Sequence, residues 1–152
     1  MKIVSVIGSS TVSKDSDEYI FAYELGKELA KRNFIVCSGG RTGIMEAVSK
    51  GAKEQNGLTI GIMPSYTGEE ANPYVDIKIN TGMNWNRNPI VVATGIFVIA
   101  ISGGYGTLSE LAYSQILKKK VFGYKTHDIE GVEKVSTLEE LLQKIDEYLR
   151  IK

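Results

Sequence analysis

The sequence predicts an α/β protein with three layers, in which helices cover both faces of a doubly wound, mainly parallel sheet of six to seven strands. Three observations predict this fold class. Aliphatic, β-branched segments alternate along the chain with segments whose apolar residues recur at helical spacing. The links between them are short, which favours right-handed crossovers between parallel strands. Two of the links are glycine-rich turns that join a strand to a helix, at residues 38–43 and 102–107.

The most informative unit is the strand, turn and helix at residues 98–117. The segment 96–101 is almost unbroken aliphatic, as expected of a strand that is covered on both faces. Gly103, Gly104 and Gly106 follow, and apolar residues then recur at helical spacing. A helix that begins at such a turn points unpaired amide N–H groups at one position, so this unit predicts an anion-binding site.

The other elements follow from the same two periodicities. The predicted strands cover residues 2–7, 34–37, 58–63, 75–79 and 120–124. The predicted helices cover residues 16–32, 44–56 and a closing segment that begins near residue 136. Because the chain contains no repeat, linker or low-complexity segment, we expect a single domain over residues 1–152.

Residues at the predicted helix ends carry capping signals. Asp15, with Glu18 three positions later, resembles a capping box and is the predicted N-cap of the first helix. Asn33 suits the left-handed position that follows this helix. Ser136 and Glu139 predict a second capping box at the start of the closing helix.

Three regions are left open by the sequence. Residues 65–74 form a polar loop of the kind that often covers a site, and residues 126–134 are polar without a recognisable period. Pro89 fits the first turn of a helix with Asn86 or Asn88 as its N-cap, but it would kink a helix that begins earlier.

Composition and charge narrow the classes of function. The chain of 152 residues is 43% hydrophobic and 24% charged, which is ordinary for a globular protein, and its 18 basic residues balance 18 acidic ones. This balance argues against nucleic acid and against a membrane surface as partners. No apolar run reaches the ~18 residues of a membrane helix, and the N-terminal apolar run is too short for a signal peptide. We therefore expect a cytoplasmic protein.

Two residue types that occur once each limit the kinds of site. Cys37 is the only cysteine and His127 is the only histidine. They argue against an internal disulfide, a cysteine or histidine metal cluster and a Ser-His-Asp triad. We expect no metal site, a buried and unreactive Cys37, and an exposed His127.

The two glycine-rich turns predict where a ligand binds. In open α/β sheets, ligands lie at the carboxyl ends of the strands, near the point where the strand order reverses. Neither turn contains the Gly-Lys-Ser/Thr of a Walker A loop, and neither is a dinucleotide fingerprint in the first turn between strand and helix. The residues predicted to bind phosphate or nucleotide are Gly8, Ser9, Gly39, Gly40, Arg41, Thr42, Gly103, Gly104, Tyr105, Gly106 and Thr107. In the alternative interpretation, these glycines only form tight turns.

Two charged and two aromatic residues flank this predicted site. Glu110 lies in the first turn of the predicted helix after Thr107, where an acid either complements the helix dipole or meets an arginine or sugar hydroxyls beside a bound phosphate. Arg87 is the candidate arginine, with a solvated surface position as the alternative, and Arg41 is a second cation that can meet phosphate. Trp85 and Tyr105 either stack on a base or pack in the core or at an interface.

Three motifs together resemble the Lonely Guy (LOG) family, whose members have been mislabelled as lysine decarboxylases. The segment Ser102-Gly-Gly-Tyr-Gly-Thr-Leu-Ser-Glu110 is similar to the PGGxGTxxE motif of this family, and Ser38-Gly-Gly-Arg-Thr-Gly-Ile-Met45 is similar to its GGGxxGLM turn. Arg87 stands where the family has the arginine of its M-x-x-R-K segment. The resemblance covers residues 1–124 and implies a Rossmann-like fold and a homodimer or higher homo-oligomer.

The resemblance also implies an activity, the hydrolysis of the N-glycosidic bond of cytokinin nucleoside 5′-monophosphates to free base and ribose 5-phosphate. The turn at residues 103–107 would bind the 5′-phosphate, and Arg87 and Glu110 would be the catalytic residues. A carboxylate near the ribose can stabilise an oxocarbenium-like transition state or activate water. This reaction requires no cofactor.

Departures from the family pattern make the chain similar to a compact branch of the same superfamily, which includes molybdenum-cofactor carrier proteins. Ser102 replaces the proline of the motif, Asn88 replaces the lysine, and Asn84-Trp-Asn lacks the usual Met-His pattern. Such carriers bind a phosphate-bearing pterin cofactor and are not hydrolases. The sequence therefore predicts a bound nucleotide or molybdopterin-type ligand and leaves open whether the chain is an enzyme. Nothing marks the lysine of a pyridoxal-phosphate decarboxylase.

Overall fold

The computed structural model describes residues 1–151, in which strands and helices alternate. The strands are β1 (Lys2–Gly8), β2 (Phe34–Ser38), β3 (Thr59–Met63), β4 (Ile77–Asn80), β5 (Val98–Ile101), β6 (Val121–Tyr124) and β7 (Val132–Lys134). The α-helices are α1 (Asp17–Lys31), α2 (Ile44–Glu54), α3 (Asn88–Thr94), α4 (Tyr105–Ile116) and α5 (Leu138–Ile151), and a short 3-10 helix (Asn84–Arg87) precedes α3.

The seven strands form one parallel sheet in the order β4-β3-β2-β1-β5-β6-β7. The chain builds outward from β1 to β4 and then returns to the other side of β1 to begin β5. The strand order therefore reverses between β1 and β5, and the loops after these two strands leave a crevice at their carboxyl ends. The predicted three-layer, doubly wound α/β fold is confirmed.

The central strands are buried because helices cover both faces of the sheet. In β5, Ile99 and Ile101 pack in one apolar layer with α1, α2 and α5, whereas Val98 and Ala100 pack in the other with α3 and α4. All four side chains are 0% exposed. This two-sided burial explains why the segment is uniformly apolar and does not alternate with polar residues.

The N-cap of α1 lies one residue later in the chain than predicted. Ser16, not Asp15, is the N-cap, since its Oγ accepts the N–H of Tyr19 at 3.1 Å. A turn before the helix, in which Ser16 N–H donates to the carbonyl of Ser13 at 3.1 Å, sets this start. At the other end, Asn33 adopts the predicted left-handed conformation with φ 64°.

The capping box of α5 is also displaced by one residue. Thr137 Oγ1 accepts the N–H of Glu140 at 3.1 Å, and the Glu140 carboxylate accepts the N–H of Ser136 at 2.6 Å. Ser136 and Glu139 are therefore not the capping pair. The side-chain cap is the next residue along the chain, Thr137, whereas the carboxylate that completes the box returns to the N–H of Ser136.

The segment around Pro89 resolves the alternative that the sequence left open. Pro89 lies in the first turn of α3, as predicted, but neither Asn86 nor Asn88 is the N-cap. The 3-10 helix continues directly into α3, so that Arg87 holds the position before the helix with φ −76° and ψ −12° and no side chain caps it. The Asn88 side chain is available for another contact.

The two remaining polar regions have different structures. Residues 65–74 form a loop, and the buried Asn72 ties it to the turn after β2, because the Asn72 N–H donates to Gly40 O at 2.9 Å. Residues 126–134 end in β7, an edge strand that pairs with β6. No helix within the described residues is long and apolar enough to span a membrane.

The displaced capping box predicts a difference between two neighbouring variants. Thr137→Ala should lower the free energy of unfolding by ~1 kcal/mol, because it removes the acceptor of the Glu140 N–H. Ser136→Ala is the matched control and should change it by less than ~0.5 kcal/mol, because Ser136 is exposed and contributes a backbone N–H to the box. Chemical denaturation measures both values, and a larger loss at Ser136 would contradict the assignment of the cap.

Candidate functional site

A cavity of about 410 Å³ opens at the carboxyl ends of β1 and β5, where the strand order reverses. Four segments form its walls: the loop after β1, the turn that leads from β2 into α2, the 3-10 helix with the start of α3, and the start of α4. The lining residues are Gly8, Ser9, Ser10, Thr11, Arg41, Met45, Trp85, Arg87, Asn88, Gly104, Tyr105, Gly106, Thr107 and Glu110.

The glycine-rich turn after β5 presents the first turn of α4 to this cavity. The N–H groups of Tyr105, Gly106 and Thr107 begin the helix and have no acceptor within it. Gly104 precedes them, and a Cβ atom at Gly104 would meet no other atom within 4 Å. Gly103 shapes the turn, since its φ of 125° favours glycine and a Cβ there would lie 2.4 Å from that of Thr107. An anion therefore has open access to the helix N-terminus.

The turn after β2 has a different role, because it packs against the loop after β1. The N–H of Ile44, at the start of α2, donates to Ser9 O at 2.9 Å, and the Thr42 hydroxyl donates to Ser10 O at 2.8 Å. The N-terminus of α2 thus already has an acceptor from the protein. Of the turn at residues 38–43, Arg41 lines the cavity.

Arg87 is buried at the base of the cavity, with 5% of its surface exposed. Its Nε donates to Ile62 O at 2.8 Å, at the end of β3, and its Nη2 donates to Gly39 O at 3.3 Å, after β2. Gly39 makes room for this contact, because a Cβ atom there would lie 2.8 Å from Nη2. The alternative of a solvated surface arginine is therefore wrong.

Asn88, which stands where the LOG pattern has a lysine, joins Arg87 to α4. Its Oδ1 accepts a hydrogen bond from Arg87 Nη1, and its Nδ2 donates to Ser109 Oγ at 3.1 Å. Ser109 in turn donates to Gly106 O at 2.6 Å. Asn88 is 3% exposed, so this chain of hydrogen bonds is shielded from water and fixes Arg87 relative to the first turn of α4.

Glu110 is a buried carboxyl group that faces the same cavity, with 8% of its surface exposed. Burial raises the pKa of Glu110 to about 8, although the charge of Arg87 acts in the opposite direction. At neutral pH the group is mostly protonated. It lies beyond the first turn of α4, which contains no acidic residue. A protonated acid at this position does not complement the helix dipole, so this alternative does not explain Glu110.

Most of the predicted site residues line this one cavity, and the remainder hold the turns in place. Those that do not line it are Gly39, Gly40, Thr42 and Gly103. Sequence reasoning did not assign Ser10, Thr11, Met45 and Asn88 to the site. Ser10 and Thr11 prolong a small-residue turn that the sequence does show. Met45 and Asn88 stand in two segments that resemble LOG motifs, but the sequence alone does not indicate that they face the cavity.

The two candidate aromatic residues lie at the cavity rim. Trp85 is 69% exposed and Tyr105 is 90% exposed, so neither packs in the core. A Cβ atom at Gly106 would lie 3.1 Å from the Trp85 ring, which shows that this ring covers the start of α4. Trp85 and Tyr105 are therefore placed either to stack on a ligand or to pack at an interface.

The predicted burial is confirmed for Cys37, whereas the predicted exposure is wrong for His127. Cys37 is buried, as predicted, and burial raises the pKa of its thiol to about 12, which leaves it unreactive. His127 is half-buried instead of exposed, and its Nε2 lies 2.9 Å from Gly104 O. Within the described residues, no three side chains of the types His, Cys, Asp and Glu come together in a way that could hold a metal ion.

The buried Glu110 predicts a stability that depends on pH. Because its folded pKa lies above the ordinary value, the folded protein retains a proton that the unfolded chain releases. The free energy of unfolding should therefore decrease as the pH rises from the ordinary glutamate pKa of 4.5 towards about 8, by at most ~1.4 kcal/mol per pH unit. Glu110→Gln should remove this component. Chemical denaturation of both proteins at several pH values measures the free energy of unfolding. If this free energy decreases equally in the wild-type protein and in Glu110→Gln, Glu110 does not have a raised pKa.

Comparison with known proteins gives relatives of two kinds. An uncharacterized protein of Archaeoglobus fulgidus is 37% identical over 138 residues, which are 90% of this chain and 89% of the relative. The cytokinin riboside 5′-monophosphate phosphoribohydrolase LOG of Oryza sativa subsp. japonica is 36% identical over 59% of this chain and 38% of the relative. The enzyme of that name from Mycobacterium tuberculosis is 34% identical over 59% of this chain and 50% of the relative. The matches to these two phosphoribohydrolases span half or less of their length.

Solved structures are similar over the whole chain. The molybdenum cofactor binding protein of Rippkaea orientalis has a TM-score of 0.90 and 33% identity, with 97% of each chain covered. A Moco carrier protein of Chlamydomonas reinhardtii has a TM-score of 0.89 and 28% identity, with 99% of each chain covered. The model of the SLOG cluster4 family matches residues 1–148. The chain therefore belongs to the SLOG cluster4 family.

Proposed function

We propose that the cavity binds a nucleotide-type phosphorylated ligand whose phosphate lies at the start of α4. The observation that carries this proposal is the open first turn of α4, where helix N–H groups without acceptors face the cavity. Arg41 and Arg87 line the same cavity and add positive charge. The mostly protonated Glu110 adds little negative charge to oppose a phosphate at neutral pH.

For a nucleoside 5′-monophosphate, the proposed reaction is hydrolysis of the N-glycosidic bond. The ribose lies beside Glu110, whose carboxyl group donates its proton to the leaving base as the bond from C1′ to the base nitrogen breaks. Water then adds to C1′ and returns a proton to the carboxylate, which also stabilises the oxocarbenium-like transition state. Arg87 holds the site in shape through its hydrogen bonds to three neighbouring segments. The cytokinin riboside 5′-monophosphate phosphoribohydrolases, which are 36% and 34% identical over 59% of this chain, support this reaction.

A carrier of molybdenum cofactor or a related phosphorylated ligand is the second candidate function. The observation that favours it is the extent of similarity, since the carrier and binding proteins match 97% or more of this chain and of their own chains. The phosphoribohydrolases match a smaller part of both chains. In a carrier, the same cavity holds the phosphate of the ligand, and Glu110 fills space without transferring a proton.

Incubation with a panel of nucleoside 5′-monophosphates distinguishes the two functions. A hydrolase releases free base and ribose 5-phosphate, and Glu110→Gln should slow the release by about 10²–10⁴-fold, because the variant cannot donate or accept the proton. A carrier binds its ligand saturably without turnover, and Glu110→Gln should change its affinity by less than about threefold. If the protein neither binds nor cleaves any nucleotide of the panel or a molybdopterin ligand, the proposal is wrong.

Two neighbouring glycines test the position of the phosphate. Gly104→Ala places a methyl group at the helix N-terminus, where no other atom would lie within 4 Å of it, and a melting curve checks that the variant is folded. The methyl group should obstruct the phosphate and weaken binding by about tenfold, which corresponds to ~1.4 kcal/mol. Gly103→Ala should instead lower the melting temperature, because its φ is positive and its Cβ conflicts with Thr107. Unchanged nucleotide affinity in a folded Gly104→Ala protein would place the phosphate elsewhere.

A further inference from the structure

Arg41 is a cation at the cavity wall that lacks a partner in the protein. Within residues 1–150, its guanidinium makes no hydrogen bond or ion pair, whereas Arg32 pairs with Glu28 and Arg87 donates to two carbonyl groups. Glu70 attracts Arg41 from a distance, but both oxygens of the Glu70 carboxylate are bound by Ser65. Arg41 is thus free to bind a charged group of a ligand.

The backbone of Arg41 is nevertheless held firmly. The buried Asn72 donates from Nδ2 to Arg41 O at 2.7 Å and from its backbone N–H to Gly40 O at 2.9 Å. Asn72 is 6% exposed, so these bonds are shielded from water. A loop that is anchored in this way presents the Arg41 side chain from a fixed position, which favours specific binding over adventitious contact.

Arg41 also lies where two cavities meet. A second cavity of about 370 Å³ is lined by Arg41, Pro64, Asn84, Trp85 and Arg87. It shares both arginines and Trp85 with the cavity at the start of α4. A ligand that fills the first cavity can therefore extend towards the second one along the two arginines.

The positive charges of Arg41 and Arg87 repel each other. The pKa of Arg87 is lowered by burial, and the positive charge of Arg41 lowers it further, while Glu110 and Glu70 act in the opposite direction. An anionic group between the two guanidinium groups would remove this repulsion. Arginine is also suited to binding phosphate or carboxylate through two parallel hydrogen bonds.

A phosphate bound at the start of α4 does not reach the Arg41 side of the site. The turns after β2 and β5 lie on either side of β1, two strand spacings or about 10 Å apart. One phosphate group that sits against the N–H groups of α4 therefore leaves the wall formed by Arg41 for another part of the ligand. Among the residues that line the second cavity, the charged ones are Arg41 and Arg87.

We propose that the ligand carries a second anionic group and that Arg41 binds it at the wall opposite α4. This inference rests on the proposed function, in which the first phosphate lies at α4. In a nucleotide, the second group is either a further phosphate on the 5′-chain or a phosphate elsewhere on the ribose. A compound with a single phosphate should therefore bind less tightly than one with two.

The probes are AMP, ADP, adenosine 3′,5′-bisphosphate and inorganic pyrophosphate, measured by calorimetry at low ionic strength. In the wild-type protein, ADP or the bisphosphate should bind about tenfold more tightly than AMP, as expected for one additional charge-assisted interaction. Tighter binding of ADP and pyrophosphate places the second group on the 5′-chain, and tighter binding of the bisphosphate places it on the ribose. Arg41→Gln should abolish this difference, because it should weaken the binding of ADP or the bisphosphate about tenfold more than it weakens the binding of AMP. Arg150→Gln is the matched control, since it removes the same charge from an exposed position outside both cavities.

Two results would overturn the inference. If AMP binds as tightly as ADP and the bisphosphate, or if Arg41→Gln weakens all probes by one common factor, Arg41 does not recognise a second group. The proposed function survives this result as long as Gly104→Ala weakens AMP binding by about tenfold. If none of the four probes binds, the inference is wrong, and the carrier of a molybdopterin-type ligand is then the form of the proposed function that is left to test.

Discussion

A buried guanidinium holds the functional edge of the sheet together. Arg87 donates to Ile62 O at the end of β3 and to Gly39 O after β2, and through Asn88 and Ser109 it reaches the first turn of α4. Burying a charge is unfavourable unless it is hydrogen-bonded, so these acceptors are what allow an arginine to be 5% exposed. Because the bonds reach three separate segments, the geometry of the cavity depends on this one side chain.

The same interaction explains why two similar glycine-rich turns have different roles. The turn after β2 uses Gly39 to admit the guanidinium, and the helix that follows it is satisfied by the carbonyl of Ser9. The turn after β5 keeps its helix N-terminus open to the cavity. One turn therefore builds the wall that carries Arg41, and the other leaves a place for an anion. Burial keeps Glu110 mostly protonated at neutral pH. A protonated carboxyl group suits both proposed functions, as a proton donor in a hydrolase or as an uncharged wall residue in a carrier.

The fold was predictable from the sequence because strand and helix periodicities are strong and the links are short. The uniformly apolar segment before Ser102 indicated a central strand, and β5 is buried on both faces. Helix starts were less predictable, because several small polar residues in a row can each serve as a cap, and the backbone turn before the helix decides among them. For this reason Ser16 and Thr137 take the roles expected of Asp15 and Ser136. Within the site, Asn88 was missed because its contacts are with Arg87 and with a helix that is distant in sequence.

The sequence by itself determined the three-layer α/β fold, the family and the residue types at the candidate site, because periodicity and short motifs are local properties. It also located the open helix N-terminus after β5, since a glycine turn between a buried strand and a helix has few other structures. Only the tertiary structure decided which of the two glycine-rich turns faces the cavity, that Arg87 is buried, and that Glu110 has a raised pKa. These properties depend on burial and on contacts between segments that are far apart in the chain. The stretch from β5 into α4 is therefore a predicted anion site in the sequence, and the fold brings the other residues of the candidate site to it.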